Sequence, residues 1–376
     1  MLSSCRQFSN LLPGEDSISP EKEVEETQLK RYSSPLPLFT PMQFAWYYKP
    51  PENQEELAKL ASDFSFFIFT RNDEPEMSRL AEKGAAGEVL QYLRFEAVMD
   101  PGDCQTKPFQ NQAANLEGDF CQIRDQHPDW FLADINGNPI KNDSSGYVMM
   151  NPGSSGWNVF FQERVSGFQK DPAWQGLFLD NVDASLGRFA AQGKLISLYQ
   201  DDQAFQDAVV SQLAGLSDEL HGNLGKKIFA NITFLREAEV WFRYLDYLDG
   251  AMLEAFAADW NSSYISENEW LAQLEIAETT QSFGKVILLV TQGDPDDNDR
   301  MRFGLASYLL VNNGKAFFRY TNDEAYRQIW WYPEFDVDLG QPLGPRYQEA
   351  GVWRRDFENG IVRVNPVTHH AEILLN

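Results

Sequence analysis

The chain has 376 residues, with 31 Lys and Arg against 56 Asp and Glu, a formal charge of −25 at neutral pH. Hydrophobic residues make up 43% and aromatic residues 14%, including 10 Trp and 27 Phe, which supplies a large core and excludes a wholly disordered chain. The acidic surplus, with no long Lys/Arg cluster, excludes binding driven by release of phosphate counterions, so no nucleic acid or anionic membrane partner is expected.

Residues 1–38 carry Pro13, Gly14, Pro20, an acidic stretch from Glu21 to Glu26 and Ser33-Ser34-Pro35, a composition that predicts a flexible N-terminal tether. Within it, Leu2-Ser3-Ser4-Cys5 is similar to the small-residue stretch before the acylated Cys of bacterial lipoproteins. Cys5 is therefore a candidate lipid anchor, although the charged and apolar parts of a signal peptide do not precede it. No apolar run reaches eighteen residues, so no transmembrane segment is expected.

From residue 39 to 335, apolar runs alternate with amphipathic stretches. The predicted strands are Gln43–Tyr48, Phe64–Thr70, Val89–Phe95, Gly176–Asp180, Lys227–Phe234, Leu248–Leu253, Val286–Thr291 and Lys315–Tyr320. Predicted helices, including Gln54–Ser62, Trp157–Phe168, Asp202–His221, Ala238–Tyr247 and Glu267–Phe283, cover them. Eight such pairs fit an α/β fold, a (β/α)8 TIM barrel. An open doubly wound sheet fits less well, because Tyr47-Tyr48-Lys49-Pro50-Pro51 after the first strand is no phosphate-binding turn.

The third and fourth strands are about eighty residues apart, a length usually reserved for functional loops. That loop holds Asn136-Gly137, a hairpin signal, and Cys104 and Cys121. Those two could form a disulfide in an oxidising compartment or remain free thiols. Residues 336–376 predict a small C-terminal β appendage, with Trp353–Val364 reading as strand, turn, strand.

Polar residues that end an apolar strand mark the mouth of a barrel. Asp180 ends Gly176-Leu177-Phe178-Leu179, and Glu254 ends Asp249-Gly250-Ala251-Met252-Leu253. Two carboxyl groups over one opening can supply an acid together with a nucleophile or base, the chemistry that glycosidic cleavage requires. The structural alternative is that each caps a helix or pairs with an arginine. Candidate substrate-binding residues are Tyr48, Arg71, Arg94, Glu96, Asn181, Asp183, Asn231, Gln292, Asp294 and Tyr320, with Trp46, Trp130, Trp157, Trp330 and Trp331 as stacking platforms. The four histidines have no metal-site spacing and no GxSxG elbow is present, so neither a cofactor nor a metal is expected.

Taken together, Trp130-Phe131-Leu132, Met150-Asn151-Pro152-Gly153, Gly176-Leu177-Phe178-Leu179-Asp180-Asn181-Val182-Asp183, Asp249-Gly250-Ala251-Met252-Leu253-Glu254 and Arg355-Asp356-Phe357-Glu358-Asn359-Gly360 resemble the glycoside-hydrolase-like barrels called hypothetical glycosyl hydrolase family 15. More distantly, they resemble the endo-α-1,4-polygalactosaminidases. The resemblance implies a glycosidase acting on a poly- or oligosaccharide, with Asp180 as nucleophile and Glu254 as acid/base, in an extracellular or cell-envelope setting. Two rivals remain at this point. One is a non-catalytic carbohydrate-binding barrel of the cell envelope; the other is a metal-dependent, deacetylase-like hydrolase using Asp180, Asp183 and Asp294.

Overall fold

A computed structural model of the protein describes residues 39–51, 53–142, 146–260 and 263–376. The expected tether at residues 1–38, with Cys5, lies outside the described residues. The eight apolar runs form strands β1 (Ala45–Tyr48), β2 (Phe66–Phe69), β3 (Glu88–Arg94), β4 (Gly176–Asp183), β5 (Lys227–Thr233), β6 (Gly250–Leu253), β7 (Val286–Gln292) and β8 (Ala316–Thr321). They follow one another in chain order in a single eight-stranded sheet. With helices between consecutive strands, this is the (β/α)8 barrel expected from the sequence. Its strands read as unbroken apolar runs, such as the fully buried Phe66-Phe67-Ile68-Phe69, because a parallel sheet is covered on both faces.

The chain divides into two compact units. One holds Phe44–Glu254 and Asn322–Ile329; the other holds Ala255–Thr321, Trp330–Asn376 and the described residues before Phe44.

In the first unit, β1 to β6 are joined by helices whose ends the sequence marks. Asn53 caps Gln54–Asp63 by accepting the Glu55 N–H, and Ser154 caps Ser155–Gln169 through the Trp157 N–H. In the latter helix Gly156 has no room for a side chain, since the Trp130 indole lies 2.5 Å from where a Cβ would stand. The long connection from β3 to β4 carries its own three-stranded antiparallel sheet, made of Ala97–Met99, Tyr147–Met149 and Lys141–Asn142. The turn at Asn136-Gly137 is built by Asp134, whose Oδ1 accepts the N–H groups of Asn136 and Asn138. Cys104 and Cys121, left open by the sequence, are joined in a disulfide.

In the second unit, helix Asn298–Val311 is buried along most of its length and approaches β7 closely where Gly304 meets Thr291. The expected C-terminal β appendage is present as a four-stranded antiparallel sheet, β9 (Tyr347–Glu349), β10 (Val352–Phe357), β11 (Gly360–Asn365) and β12 (His370–Leu375). Arg355, 1% exposed, fixes that sheet to the helix by donating to the carbonyls of Leu309, Leu310 and Asn312, where a helix end leaves acceptors unpaired.

Candidate active site

The pairing of β4 with β5 slips between Leu179 and Val182, so Asp180 and Asn181 form a bulge. Asn181 has φ 59°, in the left-handed region that Asn tolerates better than most residues. A bulge re-aims side chains. Asp180 and Asn181 are partly open to solvent while Leu179 and Val182 on either side are buried.

Arg188 clamps the bulge from behind. Its Nη2 donates to Asn181 Oδ1 at 3.0 Å, and its Nε and Nη2 both reach the buried Asp183 carboxylate at 2.9 Å. Asp183 also accepts from the Thr233 hydroxyl at 2.6 Å. Its oxygens are thus committed within the fold, and the position suits orientation of Asn181 better than ligation of a metal.

Three neutral donors serve Asp180. The Tyr92 hydroxyl and Asn181 Nδ2 donate to Oδ2, the latter at 3.0 Å, and Asn231 Nδ2 donates to Oδ1 at 3.1 Å. The same Asn231 nitrogen donates to Glu254 Oε2 at 2.6 Å, and Tyr326 donates to Glu254 Oε1 at 2.8 Å. One amide nitrogen therefore touches both acids. The two oxygens it contacts can be at most 5.7 Å apart, the sum of its two legs. With one amide hydrogen directed at each acceptor, the separation is about 5 Å.

Burial, and then the charge of Asp180, push the Glu254 carboxyl up to about 7, against the opposing hydrogen bonds of Tyr326 and Asn231. Burial and the Glu254 charge likewise hold the Tyr326 phenol well above its usual value, and burial with the Asp180 charge does the same for Tyr92. Glu254 can therefore be neutral near neutral pH.

The other expected residues divide by environment. Tyr48 stands at the rim of this cluster, its ring 4.7 Å from that of Tyr92 and its hydroxyl accepting from Asn111 at 3.5 Å. Arg94 pairs with the buried Glu96 at 3.1 Å and lies over the Tyr147 ring; burial raises the Glu96 carboxyl to about 7 even beside that cation. Arg71 stacks on Phe168, 4.0 Å from the ring centre. In the second unit, Gln292 ends β7 and is buried, Asp294 follows it exposed, and the Tyr320 hydroxyl donates to the Asp294 carbonyl at 2.9 Å. Two expected stacking platforms are corrected: Trp46 and Trp157 are 0% and 1% exposed, so both are packing residues. Tyr92 and Tyr326, which hold the two acids, were not among the residues the sequence singled out.

An acid near neutrality about 5 Å from a second carboxylate can protonate one side of a bond while the other group attacks. The family described as hypothetical glycosyl hydrolase family 15 matches residues 88–361. No curated protein matches the chain in sequence. Among solved structures, the glycoside hydrolase domain of PelA from Pseudomonas aeruginosa is similar with TM-score 0.50 at 16% identity, over 77% of this chain and 96% of that one. The maltogenic α-amylase AmyB from Thermotoga neapolitana gives TM-score 0.49 at 9% identity, over 87% and 86%. Ega3 from Aspergillus fumigatus, in complex with galactosamine, gives 0.44 at 10%, over 80% and 98%. The likeness to the PelA domain bears on the fold alone, whereas the family match spans well over half the chain, both acids included. The protein belongs to hypothetical glycosyl hydrolase family 15 and is, by class, a glycosidase.

Proposed function

We propose that the protein is a retaining glycoside hydrolase that cleaves an O-glycosidic bond of a poly- or oligosaccharide, with Asp180 as nucleophile and Glu254 as acid/base. The observation that carries this reading is the single Asn231 amide hydrogen-bonded to both carboxyl groups. Retaining enzymes hold their carboxyls roughly 5–5.5 Å apart, whereas inverting enzymes leave about 6.5–9.5 Å for a water. The binding-only alternative, which needs the acids separated or locked to arginines, has no support from this geometry.

In the first step, ionised Asp180, oriented by Tyr92, Asn181 and Asn231, attacks the anomeric carbon. The bond to the leaving oxygen breaks as Glu254 gives that oxygen its proton. In the second step, the Glu254 carboxylate takes a proton from water, whose oxygen attacks the same carbon and releases Asp180. Two displacements restore the starting configuration. The Cys104–Cys121 disulfide supports an oxidising, extracellular or cell-envelope location.

Release of reducing ends from a panel of purified polysaccharides tests the proposal, with proton NMR reading the anomer formed first. Wild type should release sugar with retained configuration. Asp180→Asn and Glu254→Gln should each lower turnover by at least about 100-fold while the protein stays folded. Wild-type turnover in either variant, or an inverted first product, overturns the assignment.

A further inference from the structure

The long connection from β3 to β4 returns to the barrel mouth beside the proposed nucleophile. Asn111, between the disulfide-bonded Cys104 and Cys121, accepts the Arg94 N–H on its carbonyl at 2.8 Å. Arg94 is the register partner of Asp180, and the next residue, Phe95, donates its N–H to the Asp180 carbonyl at 3.1 Å. Successive N–H groups of a strand point to opposite sides, so Asn111 lies on the side of β3 away from β4, where β2 has already ended at Phe69. Two strand spacings, about 10 Å, therefore separate the Asn111 and Asp180 backbones, a gap that one sugar ring with its hydroxyls can bridge.

The segment around Asn111 is fixed in place. Gln112 Oε1 accepts the Met99 N–H at 2.6 Å, Gln110 Nε2 donates to the Asn115 carbonyl at 3.0 Å, and Gln112 and Asn115 are 0% and 1% exposed. This bracing sets Asn111 against two phenols. Its Nδ2 donates to the Tyr48 hydroxyl at 3.5 Å, and the same amide faces the Tyr147 hydroxyl. Tyr48 and Asn111 are partly exposed, and the Tyr147 hydroxyl still reaches the surface. Burial raises both phenols above their usual value and the Asp180 charge raises them further, so both keep their protons. A phenol oxygen that faces an amide N–H turns its own O–H elsewhere. Among the described residues, neither hydroxyl donates to an acceptor.

The chemistry of this wall selects among sugars. Two protonated hydroxyls and an amide, spread beside the nucleophile, match the oxygens of neutral ring hydroxyls. A carboxylate in the same place would stand close to Asp180, whose charge already reaches both phenols. Arg94, which lies over the Tyr147 ring, is already paired with Glu96 at 3.1 Å and leaves little attraction to offset that repulsion. We propose that Tyr48, Asn111 and Tyr147 form the subsite that binds the hydroxyl groups of the sugar ring attacked by Asp180, and that this subsite selects a ring without a carboxylate. The inference rests on the glycosidase mechanism proposed above and adds the class of sugar that it accepts.

The test is carbon NMR of the full chain labelled at tyrosine, with the Tyr48 and Tyr147 ring signals assigned by their loss in Tyr48→Phe and Tyr147→Phe. Glucose, galactose and mannose are the neutral probes; glucuronate, galacturonate and mannuronate are their carboxylate counterparts. At least one neutral sugar should shift both signals saturably in the millimolar range, since a single ring in an open groove binds weakly. Its uronate should bind about tenfold or more weakly. Tyr147→Phe, which removes one oxygen and carries little risk to folding, should weaken the neutral sugar by about three- to tenfold, the worth of one hydrogen bond. Asn111→Ala should weaken it at least as much. Silence of both tyrosines toward all three neutral sugars overturns the proposal, as does a uronate that binds as tightly as its neutral counterpart or wild-type affinity in both variants. Because the readout needs no turnover, the two readings fail separately. Retaining turnover beside silent tyrosines would overturn this subsite alone, whereas saturable binding here with turnover that survives Asp180→Asn would uphold the subsite and overturn the mechanism.

Discussion

Asn231 is the residue on which the proposed chemistry turns, because its one amide nitrogen spans the two acids. The sequence made Asp180, Asn231 and Glu254 legible, since each is a polar side chain in or just after an apolar run. Tyr92 escaped notice because a tyrosine within Glu88–Arg94 reads as core, and only its hydroxyl reaches Asp180. Tyr326 lies in the stretch after β8, where no strand end points to it. The electrostatics give a signed expectation. Glu254 must be protonated to start the reaction and is held up at about 7, so kcat/KM should fall as pH rises through that value. Tyr326→Phe removes a hydrogen bond that favours the ionised form, and should move this basic limb to higher pH. Asp180→Asn removes the neighbouring charge and should lower the Glu254 pKa, readable by carbon NMR of the carboxyl in that inactive variant. A basic limb that stays in place in Tyr326→Phe would remove Glu254 as the titrating acid.

At the scale of elements, all eight strands were legible because buried parallel strands are nearly uninterrupted apolar runs. Their edges were less so. The sixth was expected from Leu248 and begins at Gly250, and the fourth was expected to stop at Asp180 but continues through its bulge to Asp183. A slipped register leaves no mark in composition. The pairing of Cys104 with Cys121 was also beyond the sequence, as two cysteines permit a bond without requiring one. The Arg355-Asp356-Phe357-Glu358-Asn359-Gly360 motif proves to be architectural: it runs through the hairpin between β10 and β11 and anchors the sheet to helix Asn298–Val311. Arg355→Ala would strip three helix carbonyls of a buried charged donor, and should cost about 3 kcal/mol or more in denaturant unfolding. Arg355→Lys, with one nitrogen in place of the guanidinium fork, should recover only part of that.

For the molecule as a whole, the notable cost is two carboxyl groups held up at about 7, Glu96 and Glu254, against an ordinary value of 4.5. Between those pH values the folded state binds more protons than the unfolded chain, so stability falls as pH rises. Their contribution is complete below about 4.5 and is lost as pH climbs through about 7. Glu254→Gln should therefore be more stable than wild type by at least about 1 kcal/mol near pH 8, with the gain vanishing near pH 4. Thermal unfolding at the two pH values checks this, and a variant no more stable at the alkaline one would refute it. Activity and stability would then pull in opposite directions at one side chain.

The slipped pairing of β4 carries a consequence for how this enzyme can change. The direction of Asp180 is set by the slipped register, which Arg188 braces through Asn181 and Asp183, together with the donors Tyr92, Asn181 and Asn231. New specificities should consequently arise by exchange of residues around the opening, while replacements that iron out the irregularity, such as deletion of Asn181, should silence the enzyme without unfolding it.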